Sequence, residues 1–186
     1  MARIEVIDYD NATGELKEIY DDLLGKRGKL AEVHKIQSLN PATIVHHMDL
    51  YMAIMYARSP LNRAQREMMA VVVSAANNCE YCQIHHKQAL QHYWKDEERV
   101  NTLAKDYTSI GLDEPDQILC ELAYHLTAAP SGEQVEQAID RLKQLGHDDR
   151  AILDAHLVIA YFNFVNRLVL GLGVALESDQ GEGYKY

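Results

Sequence analysis

Polar and glycine-containing breaks divide the chain into helix-length segments, and the apolar residues inside them recur at helical rather than strand spacing. Thr13 opens a first helix that reaches about residue 24 and is stopped near Gly25 and Gly28. Asn40 followed by Pro41 marks a second start. Asparagine suits the cap, and proline suits the first turn, where its missing N–H has no helical partner anyway. That helix reaches about Arg58 and ends before Pro60. Asn62, with Gln65 three residues later, has the form of a capping box and opens a helix to about Ala76. Asn77 and Asn78 interrupt, and a new helix begins near Cys79 and runs to about Tyr93.

Further helices are predicted from Asp96 to about Tyr107, from Asp113 to Ala128, from Ser131 (with Gln134) to Gly146, and from Asp148 or Asp149 to about Leu170. The run Met68-Met69-Ala70-Val71-Val72-Val73 is β-branched enough for a buried strand, but caps and helix formers flank it, which predicts a helix. No alternating strand pair, glycine-rich phosphate loop, repeat or linker breaks the pattern. The expectation is an all-α fold: a single-domain multi-helix bundle over residues 1–186, with its motif region at 62–93 and a polar, mobile tail at 177–186.

Composition narrows the function. The net charge is 18 − 28 = −10, which disfavours nucleic acid and anionic membrane surfaces as partners. The N-terminus carries acids where a signal peptide needs an apolar run. The apolar stretch at 151–176 contains Asp154, His156, Asn163, Asn166 and Arg167, so it reads as a helix buried in protein rather than a membrane span. A cytoplasmic, reducing location is expected, and there a close cysteine pair points to catalysis or metal binding rather than a structural staple.

That pair is Cys79-Glu80-Tyr81-Cys82, followed by His86. At a helix start, unpaired N–H groups favour thiolate over thiol. At about 100° per residue, His86 projects between the two cysteines while His85 falls well off their face. His86 is therefore the candidate base for Cys82, and His85 is expected to pack or face solvent. Glu67, in the preceding helix, could orient a histidine, or could simply complement the helix dipole. Cys79, Cys82 and His86 could also supply three zinc ligands, although no second close-spaced ligand pair accompanies them.

Glu67, eleven residues, then Cys79-x-x-Cys82-x-x-x-His86 resembles the core motif of the alkylhydroperoxidase D-like proteins, the peroxidase-related branch of the carboxymuconolactone decarboxylase superfamily. Asn62 to Glu67, Ala70 to Asn77 and Ala160 to Leu168 resemble it too. The resemblance implies a thiol-dependent peroxidase that reduces alkyl hydroperoxides through a redox-active disulfide, without metal or cofactor. It implies Cys82 as peroxidatic cysteine, Cys79 as resolving cysteine, and Glu67 with His86 as proton relay. It also implies an external dithiol reductant and a homo-oligomer, trimer or hexamer. At Tyr81 the chain departs from members that place a histidine there. The competing readings are a decarboxylase of the same superfamily and a non-catalytic redox-sensing or zinc-binding oligomer.

The other conspicuous residues read as structural. Met48, Met52 and Met55 recur at helical spacing, as core or interface. Cys120 reads as a buried, inert thiol, and His46 and His47 as structural. Tyr161, Asn163, Asn166 and Arg167 read as a satisfied interior or interface network. Tyr81, Tyr93 and Tyr124 are candidates to shape a pocket.

Overall fold

Four predicted helix starts carry the side-chain caps that their sequences imply. Asn62 Oδ1 accepts from the Gln65 amide at 2.9 Å, and the Asn62 amide donates to Gln65 Oε1 at 3.0 Å, completing the capping box. Asp96, Asp113 and Asp148 accept from the amides of Arg99, Asp116 and Ala151. Each such cap is worth about 1 kcal/mol. Thr13 and Asn40 stand at cap positions without a side-chain cap bond, and Gly132, not Ser131, caps its helix.

The computed structural model describes residues 2–181. In chain order the helices are α1 (Gly14–Arg27), α2 (Glu32–Lys35), α3 (Pro41–Met55), α4 (Arg63–Ala76), α5 (Glu80–Trp94), α6 (Glu97–Lys105), α7 (Glu114–Ala128), α8 (Glu133–Gln144) and α9 (Asp149–Leu172). No strand occurs among the described residues, so the fold is all-α as expected. The four-residue α2 is too short to show a period and was not predicted. α1 and α9 run through Gly25 and Gly171, and of each expected glycine pair it is the second, Gly28 and Gly173, that ends the helix, with left-handed φ values of 74° and 70°. Left-handed backbone ends a helix; a glycine inside one only weakens it.

α4 is the hub. Every residue from Arg66 to Ser74 is buried, and α4 packs on α5, α7 and α9. A helix covered on all sides needs no polar face, which is why the valine run looked strand-like. A smaller cluster of Leu16, Tyr20, Leu23 and Ile44 ties α1 to α3. α9 is long and apolar enough to cross a membrane by length and composition. In the structure it packs on α3, α4 and α7, and its buried Asp154 is bonded by Ser59 and Arg150 at 2.6 and 2.8 Å. Leu153, Leu157, Phe164 and Leu170 lie on its exposed side.

Residues 177–181, part of the tail expected to be mobile, have polar partners in the structure. Glu177 is buried and accepts from the Tyr81 hydroxyl at 2.7 Å. Asp179 binds Lys29 at 2.6 Å, and the Gln180 carbonyl accepts from Gln88 at 3.0 Å. These polar partners hold a segment that has little apolar surface to bury. Residues 182–186 of that predicted tail lie outside the described residues.

Candidate active site

The turn from α4 to α5 builds the site. Asn78 turns the chain at φ 54°, a left-handed conformation that asparagine tolerates. Cys79 therefore becomes the N-cap of α5 and Cys82 lies one turn inside. Both are free thiols, buried and hydrogen-bonded to each other at 2.9 Å. The bond from Cys82 pulls the Cys79 thiol down, more than burial pushes it up. The same bond, then burial, then the charge of Cys79 push Cys82 far up. The pair thus loses a first proton readily and holds the second tightly. In this arrangement the charge favours Cys79, whereas the sequence pointed to Cys82.

Glu67 and His86 come together. Glu67 is fully buried, and its Oε2 lies 2.7 Å from His86 Nδ1. Its other oxygen accepts from Arg63 Nε and Nη2 at 3.0 and 2.6 Å. Burial acts to raise the Glu67 carboxyl, but the bond and charge of His86, then those of Arg63, outweigh it and hold the group ionised. With Nδ1 bound to a carboxylate, the His86 ring presents Nε2 as its basic nitrogen. Phe162 packs edge-on against the ring, 4.2 Å between centroids.

Cys82, His86 and Glu67 all line one cavity of about 100 Å³. Cys79 is not in its lining and sits behind Cys82. No hydrogen bond joins Cys82 to His86; the Cys82 sulfur is engaged by Cys79.

Residues 46–114, which contain all four of these side chains, match the sequence profile of the carboxymuconolactone decarboxylase family. Among solved structures, the chain is similar to a peroxidase-related protein from Silicibacter sp. TM1040, at a TM-score of 0.85 and 24% identity over 99% of this chain and 96% of that one. It is similar to a peroxidase-related protein with an alkylhydroperoxidase AhpD core from Ralstonia eutropha JMP134, at a TM-score of 0.84 and 21% identity over 99% and 98%. It also shares its fold with the debrominase Bmp8, at a TM-score of 0.76 and 17% identity over 94% and 92%. The chain has the fold of these AhpD-like structures, and its residues 46–114 carry the sequence pattern of the carboxymuconolactone decarboxylase family.

The AhpD-like chain adds residues to this cavity that its sequence did not announce. His85, expected to pack or face solvent, lines the cavity and binds Glu177 Oε2 through Nε2 at 3.0 Å. Burial would raise Glu177, but the bond and charge of His85 and the Tyr81 hydroxyl outweigh it and hold the carboxyl at about 2. His47, read as structural, also lines the cavity, and its Nε2 lies 2.6 Å from the Tyr161 hydroxyl. Burial lowers His47 to about 4. His34, against His47, is lowered to about 3 by burial, then by His47 and Arg27.

The Tyr161 to Arg167 group divides. Tyr161 faces the cavity; the half-buried Asn163 binds Asn77, Thr127 and the exposed Arg167; Asn166 reaches Ser74 at 3.5 Å through its amide nitrogen, while its Oδ1 is buried without a partner among the described residues, so the group is not fully satisfied. Tyr81 lines the cavity as anticipated, but Tyr93 and Tyr124 do not. Cys120 is buried, with its thiol pushed well up by burial. Among the described residues no three His, Cys, Asp or Glu side chains group to hold a metal. Arg63 was the one addition with a local signal, since it stands four residues before Glu67 on one helix.

Proposed function

We propose that this AhpD-like chain is a thiol peroxidase that reduces organic hydroperoxides, with Cys82 as attacking sulfur and Cys79 as resolving sulfur. The observation that carries this reading is that Cys82 opens onto the cavity beside the Glu67–His86 pair while Cys79 lies 2.9 Å behind it. His86, held by Glu67, takes the first proton of the thiol pair through Nε2, by way of the cavity or after rotation of the Cys82 side chain. The proton left on the pair moves to Cys79, which frees Cys82 as thiolate.

The Cys82 sulfur bonds to the terminal peroxide oxygen, the O–O bond breaks, and the leaving alkoxide takes the proton from His86 to become an alcohol. Cys82 is now a sulfenic acid. Cys79 passes its proton through His86 to the departing hydroxide and attacks Cys82; the S–S bond forms and water leaves. An external dithiol then reduces the disulfide by exchange. Two thiols and one hydroperoxide have become a disulfide, an alcohol and water. The reading places the reaction in the cytosol, in a homo-oligomer.

Stopped-flow mixing of reduced protein with cumene hydroperoxide tests this. The expected results are closure of a disulfide between residues 79 and 82, no reaction in Cys82→Ser, and arrest at the sulfenic acid in Cys79→Ser. An undiminished rate in Cys82→Ser would overturn the scheme.

A second acceptor is favoured by the aromatic lining from Tyr51, Tyr81, Tyr161 and Phe162. The same two electrons could remove bromine from an aromatic ring. Cys82 would take the bromine, the ring would gain a proton, and Cys79 would displace bromide. Bromide release from a bromopyrrole, with no oxidation by cumene hydroperoxide, would select this reading.

A further inference from the structure

We infer that the hydroperoxide substrate carries a carboxylate, received by Arg27 and His34 while the peroxide group meets Cys82. This rests on the peroxidase reading and adds a substrate class to it.

The charges of the cavity leave one group over. Glu67 is already held by His86 and Arg63, and Arg63 in turn is committed to Glu67 and to the Met55 carbonyl. Among the described residues, Arg27, the last residue of α1, is the one permanent cation in the cavity lining. Among the described residues it has no carboxylate within ion-pair distance. Its guanidinium lies 5.3 Å from the Tyr51 ring centroid and 3.9 Å from the Met52 sulfur, and neither contact neutralises a charge. Asp22 and Asp49 line the adjacent groove with Arg27, but Asp22 is paired to Lys26 at 2.8 Å and neither reaches the guanidinium.

A second observation points to the same place. His34 lines the cavity, is only 8% exposed, and its Nδ1 is buried without a hydrogen-bond partner. A buried ring nitrogen in that state is costly until something bonds to it. His34 stays neutral, so it offers an N–H or a lone pair by choice of tautomer, not a competing charge. A planar carboxylate fits the fork of a guanidinium and can take a further N–H from an imidazole. Ala31, Val33, Met48 and Val165 give the rest of the wall an apolar character. Together they describe an acid with a small apolar body.

The test compares a hydroperoxyalkanoic acid with its methyl ester as oxidant of the reduced protein. The acid should be preferred by about tenfold in kcat/KM. That ratio should fall to about one in Arg27→Gln, fall partway in His34→Gln, and persist in Lys26→Gln, which removes a charge from the same helix. Equal rates for acid and ester in the unmodified protein, or a preference that survives Arg27→Gln, would overturn the inference. Calorimetry with hexanoate and hexanamide gives a reading that needs no peroxide chemistry. Hexanoate should bind the unmodified protein, hexanamide should not, and Arg27→Gln should abolish the difference. If no hydroperoxide oxidises Cys82 yet hexanoate binds through Arg27, the peroxidase reading falls and the anion site stands. If hydroperoxides react but acid and ester are alike and hexanoate does not bind, the reverse holds.

Discussion

Glu67 Oε2 and His86 Nδ1 meet at 2.7 Å and tie α4 to α5 across the two-asparagine break. The contact joins a buried carboxylate to an imidazole that lines the same cavity as Cys82, and Arg63 closes it from the other side. Removing the carboxylate therefore affects folding and chemistry together.

Glu67→Gln is expected to destabilise the protein by about 3 kcal/mol, because the largely buried Arg63 loses its counter-charge. Urea denaturation measures this. The rate of Cys82 oxidation should fall by about a hundredfold, since His86 loses the group that fixes its tautomer. A variant of unchanged stability would show that the Arg63–Glu67 pair carries no such weight.

Acid should unfold the protein in two steps of distinguishable origin. His47 and His34 are held at about 4 and about 3 in the folded chain, while an unfolded histidine titrates near roughly 6.5. Below about pH 6.5 the unfolded state binds the extra protons, so stability falls as pH drops towards 4 and then 3. Glu177, held at about 2, contributes stability above the unfolded value of about 4.3 and loses it as pH falls towards 2. Urea midpoints against pH should flatten between about 6.5 and 4 in His47→Leu, and between about 4.5 and 2 in Glu177→Gln. Slopes unaltered by either substitution would refute the assignment.

The thiol pair should titrate as a unit. Absorbance of thiolate at 240 nm is expected to show one of the three cysteines ionising earlier than an ordinary thiol, with the other member of the pair and Cys120 far later. Cys79→Ala and Cys82→Ala should each abolish the early step, because the shared proton is what lowers it. Two thiols ionising together near the ordinary value would contradict the coupling.

The exposed side of α9 predicts self-association. Leu153, Leu157, Ala160 and Phe164 recur at four, three and four residues, so they share one helical stripe. Leu153 and Phe164 are 53% and 47% exposed, which is high for large apolar side chains on a stripe. Light scattering is expected to give a multimer, and Leu157→Glu with Phe164→Glu a monomer. An unmodified protein that is monomeric at micromolar concentration would rule this out.

Local interactions were readable from the sequence because they act within a turn or two. The caps at Asn62, Asp96, Asp113 and Asp148 bond amides three residues ahead, so their residue types announced the helix starts. Cys79, Cys82 and His86 fall on one part of α5 for the same reason: helical spacing alone puts them there. The helix ends were less legible, since glycine marks an end only where the backbone turns left-handed, as at Gly28 and Gly173 and not at Gly25 or Gly171.

By itself, then, the sequence determined an all-helical chain and a thiol pair with a histidine one turn on, through backbone periodicity and short-range hydrogen bonds. Only the packed chain decided which distant groups complete the cavity. His47 reaches Tyr161 across 114 residues, and Glu177 reaches His85 across 92. A buried polar group must find a partner, but nothing in its own neighbourhood of sequence says which one. The same holds for the sulfurs, whose proton sharing depends on a distance and a burial that tertiary packing sets.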